Sequence, residues 1–404
     1  MTMNDENLNE EKSRAFALFR NNQIQEAKAL YLRICEVDPG DAEAWHVLGV
    51  INGRLGIIDE AEAACRRAIA ADPQYAAAHC DLGNALFIKG QLDEAVACYQ
   101  AALRLNNNFA EAFNNLGNVL NALNRLDEAA ESYRSALSLY PNAMTYCSLG
   151  NVLVRQQKLD EAATMYRECL KRDPNNSVAQ HKLVACTGEG TPERASDNYI
   201  RQTFDQFAAN FDKTLSEIGY RGPAIVMETV EGIFGAPEGN LEILDAGCGT
   251  GLCGPGLKPY ARRLIGVDLS TGMLAKAAER QHYDQLIAAE LTAYLLSAPQ
   301  TYDLIISADT LVYFGALEAL LAAAAQSLHE NGVLVFTVER ADTATGASDY
   351  HLNPHGRYSH SEDYVRRSLG HAGFSVEVLG DFVPRMEAGN PVAGMVVAAR
   401  LAAT

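Results

Sequence analysis

The sequence predicts two architectures in one chain: a solenoid of paired helices, then an α/β domain built on a parallel sheet. Three observations carry this. A short motif recurs at near-constant spacing through the first half, which marks stacked helix pairs. Strand-like and helix-like segments alternate through the second half, which marks a sheet covered by helices on both faces. Where the alternation begins, Leu241 to Gly251 reads as a short apolar strand running into three alternating glycines, the pattern of a nucleotide-binding turn.

The repeats come first in the chain. Ile58-Asp-Glu-Ala61, Leu92-Asp-Glu-Ala95, Leu126-Asp-Glu-Ala129 and Leu159-Asp-Glu-Ala162 follow one another at intervals of 34, 34 and 33 residues. Each is preceded by a Leu-Gly pair (Leu48-Gly49, Leu82-Gly83, Leu116-Gly117, Leu149-Gly150) and followed by a helix stop at Pro73, Asn107, Pro141 or Pro174. Small residues let two helices approach, Tyr99, Tyr133 and Tyr166 fill the space between them, and proline ends the second helix. This is the tetratricopeptide (TPR) pattern. A fifth copy opens the array, with Ala27, Tyr31, Ile34 and Pro39 in phase. The expected repeats lie near 8–41, 42–75, 76–109, 110–142 and 143–176, and a helix from Asn176 to Cys186 would cap the stack, giving a repeat domain of residues 8–186.

The first helices of such pairs line a concave groove. Asn84, Asn118 and Asn151 share one position there, with Asp81, Asn114 and Asn115 nearby. Carboxamides both donate and accept, so this ladder would suit a peptide backbone. Scaffolding or self-association is the other reading. No lysine–arginine clamp is present to capture a terminal carboxylate. Residues 187–197, rich in turn formers and poor in apolar side chains, read as a linker.

The second domain, residues 198–404, opens with a predicted helix from Asn198 to Leu215 carrying Phe204, Phe207 and Phe211 at i, i+3 and i+7. Strands are expected at 241–244, 264–267, 285–288, 304–306 and 333–338, with a helix at 317–328 among those between them. Two more at 375–379 and 393–399 would close a seven-stranded, Rossmann-like sheet with an antiparallel last strand. In such sheets ligands bind beyond the carboxyl ends of the strands, which gathers Asp245, the glycines, Asp268, Glu290 and Asp309 at one edge.

The spacing of the glycines identifies the ligand class. Gly249-Thr-Gly251-Leu-Cys-Gly254 fits the dinucleotide fingerprint, but Gly247 already occupies the place just after the strand. Asp245 would also repel a pyrophosphate. A carboxylate suits a cationic ligand without phosphate, such as S-adenosylmethionine, and Asp268 at the end of the next strand suits its ribose hydroxyls.

Asp245-Ala-Gly247-Cys-Gly249-Thr-Gly251, followed by Val267-Asp268-Leu-Ser-Thr-Gly-Met273-Leu, resembles the class I S-adenosylmethionine-dependent methyltransferases. The resemblance continues through Tyr302–Asp309 and Asn331–Glu339, about half the chain, and the whole is similar to bacterial predicted methyltransferases carrying N-terminal TPR repeats. It implies donor contacts from Gly247, Gly249, Gly251 and Asp268, adenine contacts from Met273 and from Glu290-Leu291, and a lid over the donor from Phe207. Glu290 stands where such enzymes often have aspartate. The same phenylalanines read equally as an amphipathic face packing on the sheet.

Methyl transfer is a displacement at carbon that needs alignment and exclusion of water, with a base only for a protonated acceptor. Candidate catalytic residues are Asp309, which borders the meeting place of donor and acceptor, Tyr313 in the following loop, and His351 and Tyr358 in the polar stretch Ser348–His360, where Arg357 is a further substrate contact and His355 and His360 further bases. Asp309 reads alternatively as an N-cap. No metal is expected: the nine cysteines form no C-x-x-C pair and loop histidines are usually solvated. Asn-Pro-Pro-Tyr after the fourth strand is absent, which argues against adenine-N6 or glutamine methylation.

Net charge is −18, shared as −7 through Gly190 (18 basic, 25 acidic) and −11 beyond it (15 basic, 26 acidic). Both halves being acidic argues against a nucleic-acid substrate. The polar, acidic N-terminus and the lack of any long apolar run imply neither signal peptide nor membrane span, and hence a cytoplasmic protein. The expected function is methyl transfer from S-adenosylmethionine to a protein, peptide or carrier-bound substrate recruited by the repeats. Methylation of a free metabolite, with the repeats used for self-association, and a non-catalytic donor-binding scaffold are the alternatives.

Overall fold

The computed structural model describes residues 5–341, 349–387 and 390–402. The first residues of the chain and Ser348 lie outside them. The chain divides into two compact units, residues 1–174 and 175–404.

The first unit is five helix pairs: Asp5–Arg20 with Ile24–Val37, Ala42–Arg54 with Ile58–Ala71, Ala76–Ile88 with Leu92–Leu105, Ala110–Ala122 with Leu126–Leu139, and Ala143–Arg155 with Leu159–Arg172. The Leu-Gly pairs explain how the helices close. A Cβ added at Gly83, Gly117 or Gly150 would come within 2.8, 2.7 and 2.6 Å of the rings of Tyr99, Tyr133 and Tyr166. Each glycine is thus the hollow that receives the tyrosine of its partner helix, and each tyrosine is fully buried. The tyrosine hydroxyls are satisfied by the asparagine ladder: Tyr99, Tyr133 and Tyr166 donate to the carboxamide oxygens of Asn84, Asn118 and Asn151 at 2.7, 2.7 and 2.8 Å. Asn84 also accepts from Asn115 at 2.9 Å and donates to Asp81 at 3.2 Å. The ladder therefore stabilises the helix pairs, and its oxygens are already engaged.

In the second unit the strands are β1 (Leu241–Ala246), β2 (Ala261–Asp268), β3 (Gln285–Ala288), β4 (Tyr302–Ser307), β5 (Leu328–Arg340), β6 (Tyr350–Leu352), β7 (Tyr358–His360), β8 (Phe374–Phe382), β9 (Met386–Glu387), β10 (Asn390–Pro391) and β11 (Gly394–Leu401). The main sheet has the order β3-β2-β1-β4-β5-β11-β8. β1 to β5 run parallel to their neighbours, and β11 lies antiparallel between β5 and β8. Alternate residues face opposite cores. Leu244, Ile305, Leu334 and Phe336 pack under the helices Glu318–Ser327 and Glu362–His371, while Ile243, Leu304, Val333 and Val335 pack with Val226 and Val230 of Gly222–Phe234. No helix among the described residues is long and apolar enough to cross a membrane.

Three segments differ from the sequence reading. The helix expected over 198–215 is two, Asp197–Phe207 and Phe211–Glu217. The second is pinned where Asp212 accepts from Thr250 at 2.5 Å and pairs with Arg280. The stretch taken for a polar loop before the last hairpin is the β6–β7 ladder, with β7 pairing onto β5 at Glu339↔Ser359. The helix expected to cap the solenoid, Ser177–Thr187, lies in the second unit, where the His181 ring stacks on Tyr199 at 4.0 Å and its Nε2 bonds the Gly356 carbonyl at 2.9 Å.

Candidate functional site

The strand order reverses between β1 and β4, and a cavity opens there, beyond their carboxyl ends. The turn after β1 holds three glycines, each at positive φ and each for a different reason. Gly247 (φ +82°) lies against Thr310, whose Oγ1 would be 2.0 Å from an added Cβ. Gly249 (φ +53°) has nothing within 4 Å of that position, so its backbone is bare toward the cavity. Gly251 (φ +82°) faces the other way, against Tyr283 and Ala277, and does not line the cavity. Its glycine serves the packing of the turn.

Asp268, at the end of β2, accepts from the Gly249 amide at 2.9 Å and the Ser270 amide at 2.8 Å. Burial nevertheless raises its pKa above the ordinary value, with those amides opposing. Asp245 is 1% exposed and accepts a 2.6 Å bond from the Tyr283 hydroxyl. Burial, aided by Asp268, pushes it up to about 7 against the pull of that bond. Among the described residues no cation pairs with it.

The other sequence candidates divide. Met273, Glu290, Leu291, Asp309 and Tyr313 line the cavity with Asp245, Gly247, Gly249 and Asp268. Glu290 also caps the helix Leu291–Ser297, accepting from the Thr292 and Ala293 amides at 3.1 and 2.8 Å. Phe207 is 54% exposed and does not line the cavity. The helix ends at Phe207, and it is Phe204 and Phe211 that reach the site, with Phe204 edge-on to Tyr313 at 5.5 Å. His351 is exposed on β6. Tyr358 is fully buried and donates to the Pro192 carbonyl at 2.8 Å. Neither His351 nor Tyr358 lines the cavity, because the β6–β7 ladder holds one outward and the other in the core. His355 and His360 do not line it either, and no group of residues suited to a metal occurs among the described residues.

Asp309 is not an N-cap. It takes φ +55°, rare for a side-chain-bearing residue, and its amide donates to Thr337 Oγ1 at 2.8 Å. Its carboxylate accepts from Arg385 at 2.9 Å. Arg385, 2% exposed, also bonds Glu387 at 2.7 Å and pairs with Glu339. Arg357 joins the cluster through Glu387 at 2.5 Å. Burial would raise the Glu387 pKa, but Arg357 and Arg385 hold it down at about 2. An unpaired charge here would be costly, so these groups fix one another.

Sequence reasoning passed over Arg385, Glu339, Glu387 and Tyr220. Glu339 ends a segment of the resemblance but was given no role, and Arg385, Glu387 and Tyr220 lie in segments without a motif. It also read 187–197 as a linker. That segment is strapped to the loop after β4, with the Ala195 amide on the Tyr313 carbonyl at 2.8 Å and the Gly315 amide on the Glu193 carbonyl at 2.7 Å, and Arg194 and Ala195 line the cavity.

Residues 244–336, which hold the glycine turn, Asp268 and Asp309, match the family model described as methyltransferase domain. Models described as tetratricopeptide repeat match residues 14–76, 64–97 and 109–175, and one described as TPR repeat matches 83–123. The chain joins tetratricopeptide repeats to a methyltransferase domain. The chain is similar to methyltransferase-like protein 27 of Homo sapiens, 28% identical over 132 residues, 32% of this chain and 53% of that protein. It is also similar to the malonyl-[acyl-carrier protein] O-methyltransferases of Acetivibrio thermocellus, 36% identical over 24% of this chain and 35% of that one, and of Enterobacter lignolyticus, 33% over 25% and 40%. The chain thus spans between about a third and about half of these relatives' lengths. Solved structures similar to it include MamA (24% identical, TM-score 0.38, covering 40% of this chain and 96% of that one) and YrrB, described as a TPR protein with an unusual peptide-binding site (24%, 0.37, 41% and 87%).

Proposed function

We propose that this chain transfers a methyl group from S-adenosylmethionine to an acceptor recruited by its repeats: a protein, a peptide or a group borne on a carrier. One observation carries the donor assignment. Asp245 is a buried carboxylate with no cation beside it among the described residues, on the floor of a cavity whose rim adds Asp268, Glu290 and Asp309. A cationic ligand relieves that arrangement and a pyrophosphate aggravates it. The chain's residues fit such a donor. The bare backbone at Gly249 and the Gly247 turn give room for its amino-acid part, Asp268 offers carboxylate oxygens to ribose hydroxyls, and Met273 and Leu291 provide apolar wall for adenine.

When bound, the donor supplies a methyl group already activated on a sulfonium. The residues' work is to orient the acceptor and exclude water, and Phe204, Phe211, Ile200 and Leu215 form an apolar cover suited to the second task. Recruitment is supported by the repeat array and by the names of two relatives, which act on a carrier-borne malonyl group. Along the asparagine ladder a bound backbone would meet chiefly carboxamide N–H groups, since the oxygens hold the tyrosines.

Calorimetry of the full chain with the donor and with S-adenosylhomocysteine tests the first half of this reading, and absence of binding refutes it. Tritiated donor added with the protein to a lysate that lacks it tests the second. Label recovered with macromolecules supports recruitment, and label confined to free metabolites refutes it.

A further inference from the structure

We propose that the acceptor end of the cavity is a carboxylate subsite formed by Arg357, Tyr313 and Tyr220, with Arg385 as the strut that fixes it. This rests on the donor assignment above and names the acceptor's chemistry.

Hydrogen-bonding capacity is unevenly spent at this end of the cavity. Arg385 spends Nε, Nη1 and Nη2 on Glu387, Asp309 and Glu339 respectively. Arg357 spends only Nη1, on Glu387 and Glu339, and its Nε and Nη2 have no partner among the described residues. The hydroxyls of Tyr220 and Tyr313 likewise have none. All three side chains line the cavity. Tyr313 and Arg357 interact electrostatically, and Tyr220 lies within the fields of Asp309, Arg385 and Asp245, between the donor floor and the charged cluster. The carboxylates of the cluster are largely spent: Glu339 and Glu387 on the arginines, and one oxygen of Asp309 on Arg385. Besides the second oxygen of Asp309, what remains on offer is a set of donors, which calls for an acceptor with lone pairs and no proton.

Among the described residues no histidine lines the cavity to remove a proton from an alcohol or an ammonium ion. A carboxylate is already ionised at neutral pH and needs no base. Its oxygen lone pair forms the new O–C bond as the C–S bond of the sulfonium donor breaks. The electron pair of that bond stays on sulfur, no proton moves, and the product is a methyl ester. Ile200, Phe204 and Phe211 on the same walls suit an apolar stem behind the carboxylate. The cluster holds three carboxylates against two guanidiniums, so it does not draw anions from a distance. Recognition is by contact with the fork of Arg357, and its salt dependence is small.

The test uses the full chain saturated with S-adenosylhomocysteine and titrated with butyrate, butyramide and butylamine. Butyrate binds at least about tenfold more tightly than the other two, as expected for hydrogen bonds to a charged group. Tyr313→Phe weakens butyrate severalfold, and Arg357→Met abolishes the preference while S-adenosylhomocysteine still binds, which shows that the fold survives. No preference for butyrate, or a preference for butylamine, overturns the subsite. So does butyrate binding that S-adenosylhomocysteine abolishes, because Arg357 then serves the donor's own carboxylate. Failure of S-adenosylhomocysteine to bind the unaltered chain refutes the donor assignment instead. In the labelled lysate, mild base releases the label as volatile methanol, and label that survives base overturns the ester.

Discussion

Asp245→Asn isolates the electrostatic cost of the donor floor. Asp245 is buried with the Tyr283 hydroxyl as its one side-chain partner among the described residues, and burial, reinforced by Asp268, raises its pKa from 3.8 to about 7. Because the folded value is raised, it is the ionised form that the ligand-free fold disfavours. The penalty is absent below pH about 4, grows as pH rises, and is complete above pH about 7. Its full size is about 4 kcal/mol, and at pH 5 it is about 2 kcal/mol. The introduced amide keeps an oxygen for Tyr283 and adds a cost that does not vary with pH, so the slope is diagnostic. Between pH 5 and 8 the variant gains about 2 to 3 kcal/mol on the parent, on the order of a hundredfold in protection. Hydrogen exchange of the β1 amides, read as the variant-to-parent ratio at each pH without ligand, measures it in the second unit alone. A ratio constant across that range refutes the reasoning, because Asp245 would then be ionised and comfortable without a cation.

The same carboxylate makes donor binding depend on pH. A cationic donor favours the ionised form, so its affinity rises about tenfold per unit up to pH about 7 and then levels, which calorimetry from pH 5.5 to 8.5 would show. Asp268→Ala removes the acceptor for the Gly249 amide and for the ribose hydroxyls, and donor affinity falls at least about a hundredfold in the same calorimeter. Gly117→Ala drives a Cβ to within 2.7 Å of the Tyr133 ring and destabilises the repeats by about 2 kcal/mol, seen as a lowered midpoint in urea by circular dichroism. His181→Ala frees the turn that precedes Arg357 by removing the bond to the Gly356 carbonyl. Butyrate binding weakens severalfold while S-adenosylhomocysteine binding is unchanged.

The donor floor was legible because its residues are close in sequence. Asp245, Gly247 and Gly249 sit on one turn, and Asp268 ends the next strand, so strand period and glycine spacing fix their positions before any tertiary contact is known. Asp309 and Tyr313 follow β4 by the same logic. The acceptor end was not legible. Arg385 is a lone arginine after β8, brought to Asp309 by the placement of β11 between β5 and β8. Phe207 fails where Phe204 and Phe211 succeed because the helix stops between them, a break that periodicity does not show. Tyr358 and His360 look like reactive groups in a polar loop, yet pairing onto β5 buries both.

Local patterning thus determined the helix pairs, the parallel sheet and the nucleoside-binding edge, since each depends on neighbours within a few turns or strands. Tertiary structure decided which charges face the acceptor. Long-range packing sets Arg357 and Arg385 against Asp309 and Glu339, and the balance among these four charges and Glu387 leaves one guanidinium fork unspent.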